Sequence, residues 1–126
     1  MVVDKKTKKV ICTYIAGGRK HDFRIFKESK VHIPSSSKTL TDSGYQGIKK
    51  LHSHAELPIK GTKKKPLTKA AKLYNHAISS QRIMVEHVIR EIKIFKIISD
   101  RYRNRRKRFG LRFNLIAAIY NLELKI

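Results

Sequence analysis

Lys38-Thr39-Leu40-Thr41-Asp42-Ser43-Gly44-Tyr45 is the stretch on which the reading of this chain turns. Thr39, Leu40 and Thr41 are good strand formers, Asp42 closes the strand, and Gly44 allows a sharp turn after it. Tyr45 to Leu51 then reads as a short helix. A carboxylate at the C-terminal end of a strand, followed by a glycine turn, stands where open α/β sheets place functional groups. The same Asp42 could equally serve only to cap the helix that follows.

Upstream, Met1–Val3 and Lys9–Ala16 are apolar or β-branched, with a polar turn over 4–8, so the spacing predicts a hairpin. Phe23 and Phe26 within His21–Ser29 suit a short helix. Downstream, Glu56–Lys60 is expected as an edge strand, since Pro58 is tolerated only there. Residues 61–66 read as a basic loop. Helices follow over Thr68–His76, with a break near Ser79-Ser80, and over Gln81–Ser99, where Met84, Val88, Ile92 and Phe95 form one apolar stripe. The last helix, Phe109–Ile126, is apolar all round at Leu115–Ile119 and is expected to be buried. Strands come first and helices later, a strand-rich part over 1–60 and a helical part over 61–126, as in an α/β or α+β layer.

Composition narrows the partner. The 126 residues hold 30 Lys and Arg against nine Asp and Glu, a formal net charge of +21. Such an excess suits a polyanion, nucleic acid before an anionic membrane surface. No apolar run approaches the roughly 20 residues that cross a bilayer, and no signal-peptide pattern is present. Cys12 is alone, which excludes an intrachain disulfide and a cysteine zinc site and fits a reducing, cytoplasmic setting. The six histidines lack metal-ligand spacing; His52 and His54 come nearest.

On a helix over 81–99, Arg82, Glu86, Arg90 and Lys93 fall within roughly 80° of one another, away from the apolar stripe. This face is either solvated surface with i,i+4 ion pairs or a phosphate-handling site, in which a carboxylate helps hold a divalent cation and Arg and Lys engage phosphates. Lys60–Lys65 (with Lys63, Lys64 and Lys65) and Arg101–Arg108 (with Arg101, Arg103, Arg105 and Arg106) are the densest cationic runs, suited to phosphate contacts that do not read sequence.

The run Leu40–Gly47, with Arg82-x-x-x-Glu86 and Lys93 downstream, resembles the DDE transposases of bacterial insertion sequences and their harbinger-like relatives. His21-Asp22-Phe23, Phe26-Lys27-x-Ser29, Tyr102–Arg106 and Asn114-Leu115-Ile116 are also similar to family members. The resemblance implies a ribonuclease-H-like α/β fold, a mixed sheet with flanking helices. It makes Asp42 and Glu86 metal-binding catalytic carboxylates for Mg²⁺ or Mn²⁺, and Arg82 and Lys93 DNA-positioning residues. It further implies strand nicking and transfer of a 3′-hydroxyl to target DNA. The family's first catalytic Asp, on the central strand, would lie upstream of Met1. This chain is then a C-terminal fragment with two acids of three, inactive alone, exposing sheet edges, and completed by an N-terminal fragment or a homodimer. Asp22 is expected to cap or orient the first helix. Two other readings remain: a non-catalytic basic DNA-binding remnant or regulator, and an RNA-associated basic protein.

Overall fold

The computed structural model describes residues 1–101 and 108–124, which form two compact units: residues 1–15 with 83–101 and 108–124, and residues 16–82. The composition is mixed α/β, with small sheets and a helical C-terminal half.

The first unit opens with the expected hairpin, in shortened form. Strands β1 (Val2–Val3) and β2 (Val10–Cys12) pair antiparallel, with a bulge between them. Strand β2 was expected over 9–16, but a ladder runs only as far as its shorter member. Asp4 organises the turn, accepting from the amides of Lys6 (2.8 Å) and Thr7 (3.3 Å), which holds its carboxyl below the usual range. The outer edge of β2 meets a side chain instead of a strand. Asn121 accepts from Val10 N–H at 2.8 Å and donates to Val10 C=O at 2.8 Å, so its amide does the work of a neighbouring strand.

The helix α2 (Lys69–Ile92) runs through the predicted break. Ser79 and Ser80 are exposed, and serine costs a helix only a few tenths of a kcal/mol. The packing of buried Ile78 beside them outweighs that. The helix stops at Ile92 instead of Ser99. Tighter i→i+3 bonds, from Ile94 N–H to Glu91 C=O and from Phe95 N–H to Ile92 C=O, close it before a single turn α3 (Lys96–Ser99). The apolar stripe is as expected: Val88 and Ile92 are buried with Val10, Ile116, Ala117 and Tyr120, and Met84 and Phe95 pack against them. Each fully buried Val or Ile there is worth about 1.5–3 kcal/mol.

Helix α4 (Phe109–Glu123) departs from expectation. Only Ile116, Ala117 and Tyr120 are buried, while Leu111, Leu115, Ile119 and Leu122 are exposed. A helix apolar on all sides would be buried on all sides only if packed on all sides. Here one side faces the core and the stripe at 111, 115, 119 and 122 faces outward. Tyr120 O–H donates to Lys8 C=O at 3.3 Å, and Thr13 O–H donates to the side chain of Asn114.

The second unit contains α1 (Asp22–Ser29), as expected. His21 caps it, its Nδ1 accepting from Phe23 N–H at 3.4 Å, so the cap is one residue before the Asp22 expected there. Asp22 sits in the first turn, where a carboxylate complements the helix dipole. Strands β3 (Thr39–Leu40) and β4 (Ala55–Glu56) pair parallel, Thr39 opposite Ala55 and Leu40 opposite Glu56. Two short 3₁₀ turns, Ser43–Tyr45 and Ile48–Lys50, replace the predicted helix over 45–51. Gly47 separates them at φ +93°, a conformation that a continuous α-helix cannot contain. Ile48 and Ala55 are buried above this crossover.

Strand β4 ends at Glu56, before the predicted edge strand over 56–60 has run its length. Pro58 offers no amide, and both backbone groups of Ile59 go to Asn75, at 2.7 and 2.9 Å. Among the described residues, the first unit holds the β1–β2 ladder and the second holds the β3–β4 ladder.

Candidate metal and phosphate site

The reading that Asp42 caps the turn after it holds, and the cap uses one of its two carboxylate oxygens. Asp42 lies just past the end of β3, where Thr41 N–H donates to Glu56 C=O at 2.9 Å and anchors the strand. Its Oδ1 accepts from Gly44 N–H at 2.7 Å and so caps the 3₁₀ turn. Its Oδ2 faces the guanidinium of Arg82 at 3.8 Å, a charge contact longer than a hydrogen bond.

Gly44 fits here for a reason the sequence did not suggest. Its backbone is not left-handed; that role falls to Gly47. A Cβ at Gly44 would lie 3.0 Å from Asp42 Oδ1 and 3.8 Å from the His21 ring. Glycine lets the carboxylate approach its amide.

Tyr45 completes this corner. Its ring packs edge-on against Phe23 (6.3 Å) and Phe26 (6.1 Å) of α1, fixing the turn to the helix. Burial, then the charges of Asp22 and Asp42, push its hydroxyl above the usual tyrosine range, with Arg82 opposing. It remains a neutral donor at ordinary pH.

The structure thus joins Arg82 to Asp42, whereas the helical spacing had grouped it with Glu86. Glu86, in the other unit, lies one turn further along α2. It is exposed and forms no ion pair among the described residues, so the predicted i,i+4 bridge is absent. Arg90 and Lys93 are exposed too, and Lys93 falls just past the end of the helix, its N–H bonded to Ile89 C=O. Lys63, Lys64 and Lys65 project from an exposed loop closed by paired bonds between Thr62 and Lys65, at 3.0 and 3.1 Å. Arg101 is exposed; Arg103, Arg105 and Arg106 lie outside the described residues.

The two histidines nearest to metal spacing are spent on structure. Buried His52 donates to Ser37 C=O at 2.8 Å, and His54 donates to Ser35 C=O. Among the described residues, no group of three or more His, Cys, Asp or Glu side chains is placed to hold a metal ion. No helix among them is long and apolar enough to cross a membrane.

Residues 1–121 match the family described as DDE superfamily endonucleases. The chain belongs to that family. It is also similar to a protein from Microchaete diplosiphon named as the probable transposase for insertion sequence element IS702, 52% identical over 126 residues. That match covers all of this chain and 46% of the relative, so the chain spans less than half of the relative's length. No solved structure matches.

Both elements that carry the family resemblance, Asp42-x-Gly44-Tyr45 and Arg82-x-x-x-Glu86, fall inside the region that matches the family. The sequence left unmarked the pairing of Asp42 with Arg82 and the strand-mimicking amides of Asn75 and Asn121. An isolated Asn in a helix gives no signal of a distant backbone partner.

Proposed function

We propose that this chain supplies two of the catalytic carboxylates, Asp42 and Glu86, of a ribonuclease-H-like DDE transposase acting on DNA. The observation that carries the reading is the state of Asp42 at the end of β3. One oxygen is fixed by Gly44 N–H and the other is turned to an Arg without a close hydrogen bond. Such a carboxylate is oriented yet retains lone pairs.

The donors fit the expected metal in kind, because carboxylate oxygens suit Mg²⁺ and Mn²⁺. They fall short in number, since two acids do not make the three-acid cluster. When bound, the metal would neutralise charge at a scissile phosphate and activate the attacking oxygen. Arg82 adds positive charge beside Asp42, where it can also meet a phosphate oxygen. Lys93, Lys63–Lys65 and the Arg101–Arg106 run would bind DNA by releasing its counterions.

Among the described residues of its own unit, each of β1 and β3 pairs with one neighbour. An N-terminal fragment carrying a strand with the first acid, or a partner copy, would cover such edges. The chain alone is then inactive, and a nucleoid-associated cytoplasmic place follows from the DNA partner. The test is Mn²⁺ titration of the ¹⁵N-labelled chain. Selective broadening of amides around Asp42 and Glu86 together is expected, and Asp42→Asn should abolish both sets. Broadening of one set alone would refute a shared metal. Metal-dependent nicking by the isolated chain, abolished by Asp42→Ala, would refute its inactivity.

A second reading is a non-catalytic DNA-binding remnant, favoured by the +21 charge and the exposed Lys63–Lys65 loop. Salt-sensitive duplex binding with no broadening at either acid would select it.

A further inference from the structure

A second cationic feature lies in the Ala16–Arg82 unit, at the C-terminal end of α1. An open groove of about 770 Å³ runs between residues 26–36 and residues 51–53. That is the size range of sites that take small organic ligands, about 300–1,000 Å³. Lys27, Lys30 and His32 line it together with Ser35, Ser36 and Ser53, and no Asp or Glu does. The nearest acid in sequence, Glu28, is committed to Lys20 at 2.7 Å and Arg24 at 3.1 Å. Phe26, Val31 and Leu51 give the groove an apolar floor, and Leu51 is 61% exposed.

Lys30 carries a particular signal. It caps α1 in the left-handed region, at φ 51° and ψ 31°, its N–H bonded to Lys27 C=O at 3.3 Å. Glycine occupies that place most easily. A lysine there accepts backbone strain and sets a cation on the groove wall. Lys27 Nζ lies 4.8 Å from the Phe23 ring centroid, a cation–π contact that orients it.

We infer that this groove binds a segment of single-stranded DNA. Phosphates would lie against Lys27 and Lys30, with the serine hydroxyls as further donors. One or two bases would rest on the apolar floor, with the exposed imidazole of His32 as a stacking surface. A duplex cannot use the floor, because its bases are already stacked inside. The groove thus reads strand state, not base order. The inference shares only its DNA partner with the proposed function above. None of its residues is a proposed metal ligand, so the Mn²⁺ titration and the groove test fail independently.

The test is fluorescence anisotropy of the whole chain with (dT)₁₀, with a mixed-sequence duplex and with (rU)₁₀, over a range of salt. Lys30→Gly should keep or raise thermal stability, since it relieves the left-handed lysine, while weakening (dT)₁₀ binding roughly fivefold. Lys27→Gln with Lys30→Gly should reduce the single-strand salt slope by about 1.4, two phosphate contacts at about 0.7 each. His32→Ala should weaken (dT)₁₀ and spare the duplex, whereas Lys63→Gln with Lys64→Gln should weaken both. Equal losses for single strand and duplex in the groove variants, or no loss in either, would overturn the inference. So would tighter binding of (rU)₁₀ than (dT)₁₀.

Discussion

Replacing Asn121 by Ala tests how the first unit closes its hairpin. The side-chain amide makes two bonds of 2.8 Å to the backbone of Val10, which is only 7% exposed. Truncation leaves one N–H and one C=O without partners beside the apolar cluster. Each such group costs about 1–3 kcal/mol. Some water will reach the strand edge after relaxation, so the expected loss is about 2–4 kcal/mol. Urea unfolding followed by far-ultraviolet circular dichroism reads it. With a slope of about 2 kcal/mol per molar, the midpoint should fall by roughly 1–2 M. Asn75→Ala is the internal control. It also removes two bonds to one residue, but Ile59 is 48% exposed and water can replace them. Its cost should stay below about 1 kcal/mol. Equal midpoints for Asn121→Ala and the parent chain would refute the argument that this amide replaces a strand.

Three further outcomes follow from the packing and the charges. Ile92→Ala, at a fully buried position of the first core, should cost about 2–5 kcal/mol by the same urea assay. Gly47→Ala should cost about 1–2 kcal/mol through its left-handed backbone, since the new Cβ would meet the Phe23 ring at only an ordinary 3.6 Å. Burial raises the hydroxyls of Tyr45 and Tyr120, helped by Asp22 and Asp42 at the first and Glu91 at the second. A raised folded value favours the protonated phenol in the native state. Stability is therefore intact below the ordinary tyrosine value, about 10, and falls as pH rises through the raised values. Tyr45→Phe should reduce that alkaline loss, as measured by urea midpoints on either side of pH 10.

The parts of the fold that depend on local pattern were legible in the sequence. The Met84, Val88, Ile92 stripe faces its core because helical spacing alone puts those residues on one side. The strand before Asp42 is present, though it ends at Leu40, because Thr39 and Leu40 favour it. The parts set by distant partners were not legible. Ser79 and Ser80 looked like a break because their own propensity is weak, yet Ile78 holds the helix through them. Residues 57–60 looked like an edge strand, yet Asn75 claims Ile59 from sixteen residues away. At the candidate site, Asp42 was found from its place after a strand. Its link to Arg82 was not, because a helical wheel relates a residue only to others on its own helix.

Helix α4 carries Phe113, Ile116, Ala117 and Tyr120 on one side and Leu111, Leu115, Ile119 and Leu122 on the other, so greasiness tells it to leave water without telling it which way to face. A half-turn about its own axis would trade one oily surface for another at little cost. What opposes the swap is a handful of hydrogen bonds: Tyr120 and Asn121 to Lys8 and Val10 of the hairpin, and Thr13 O–H to the Asn114 side chain. Orientation in this helix is thus chosen by its few polar atoms, and a chain stripped of them would sample both poses.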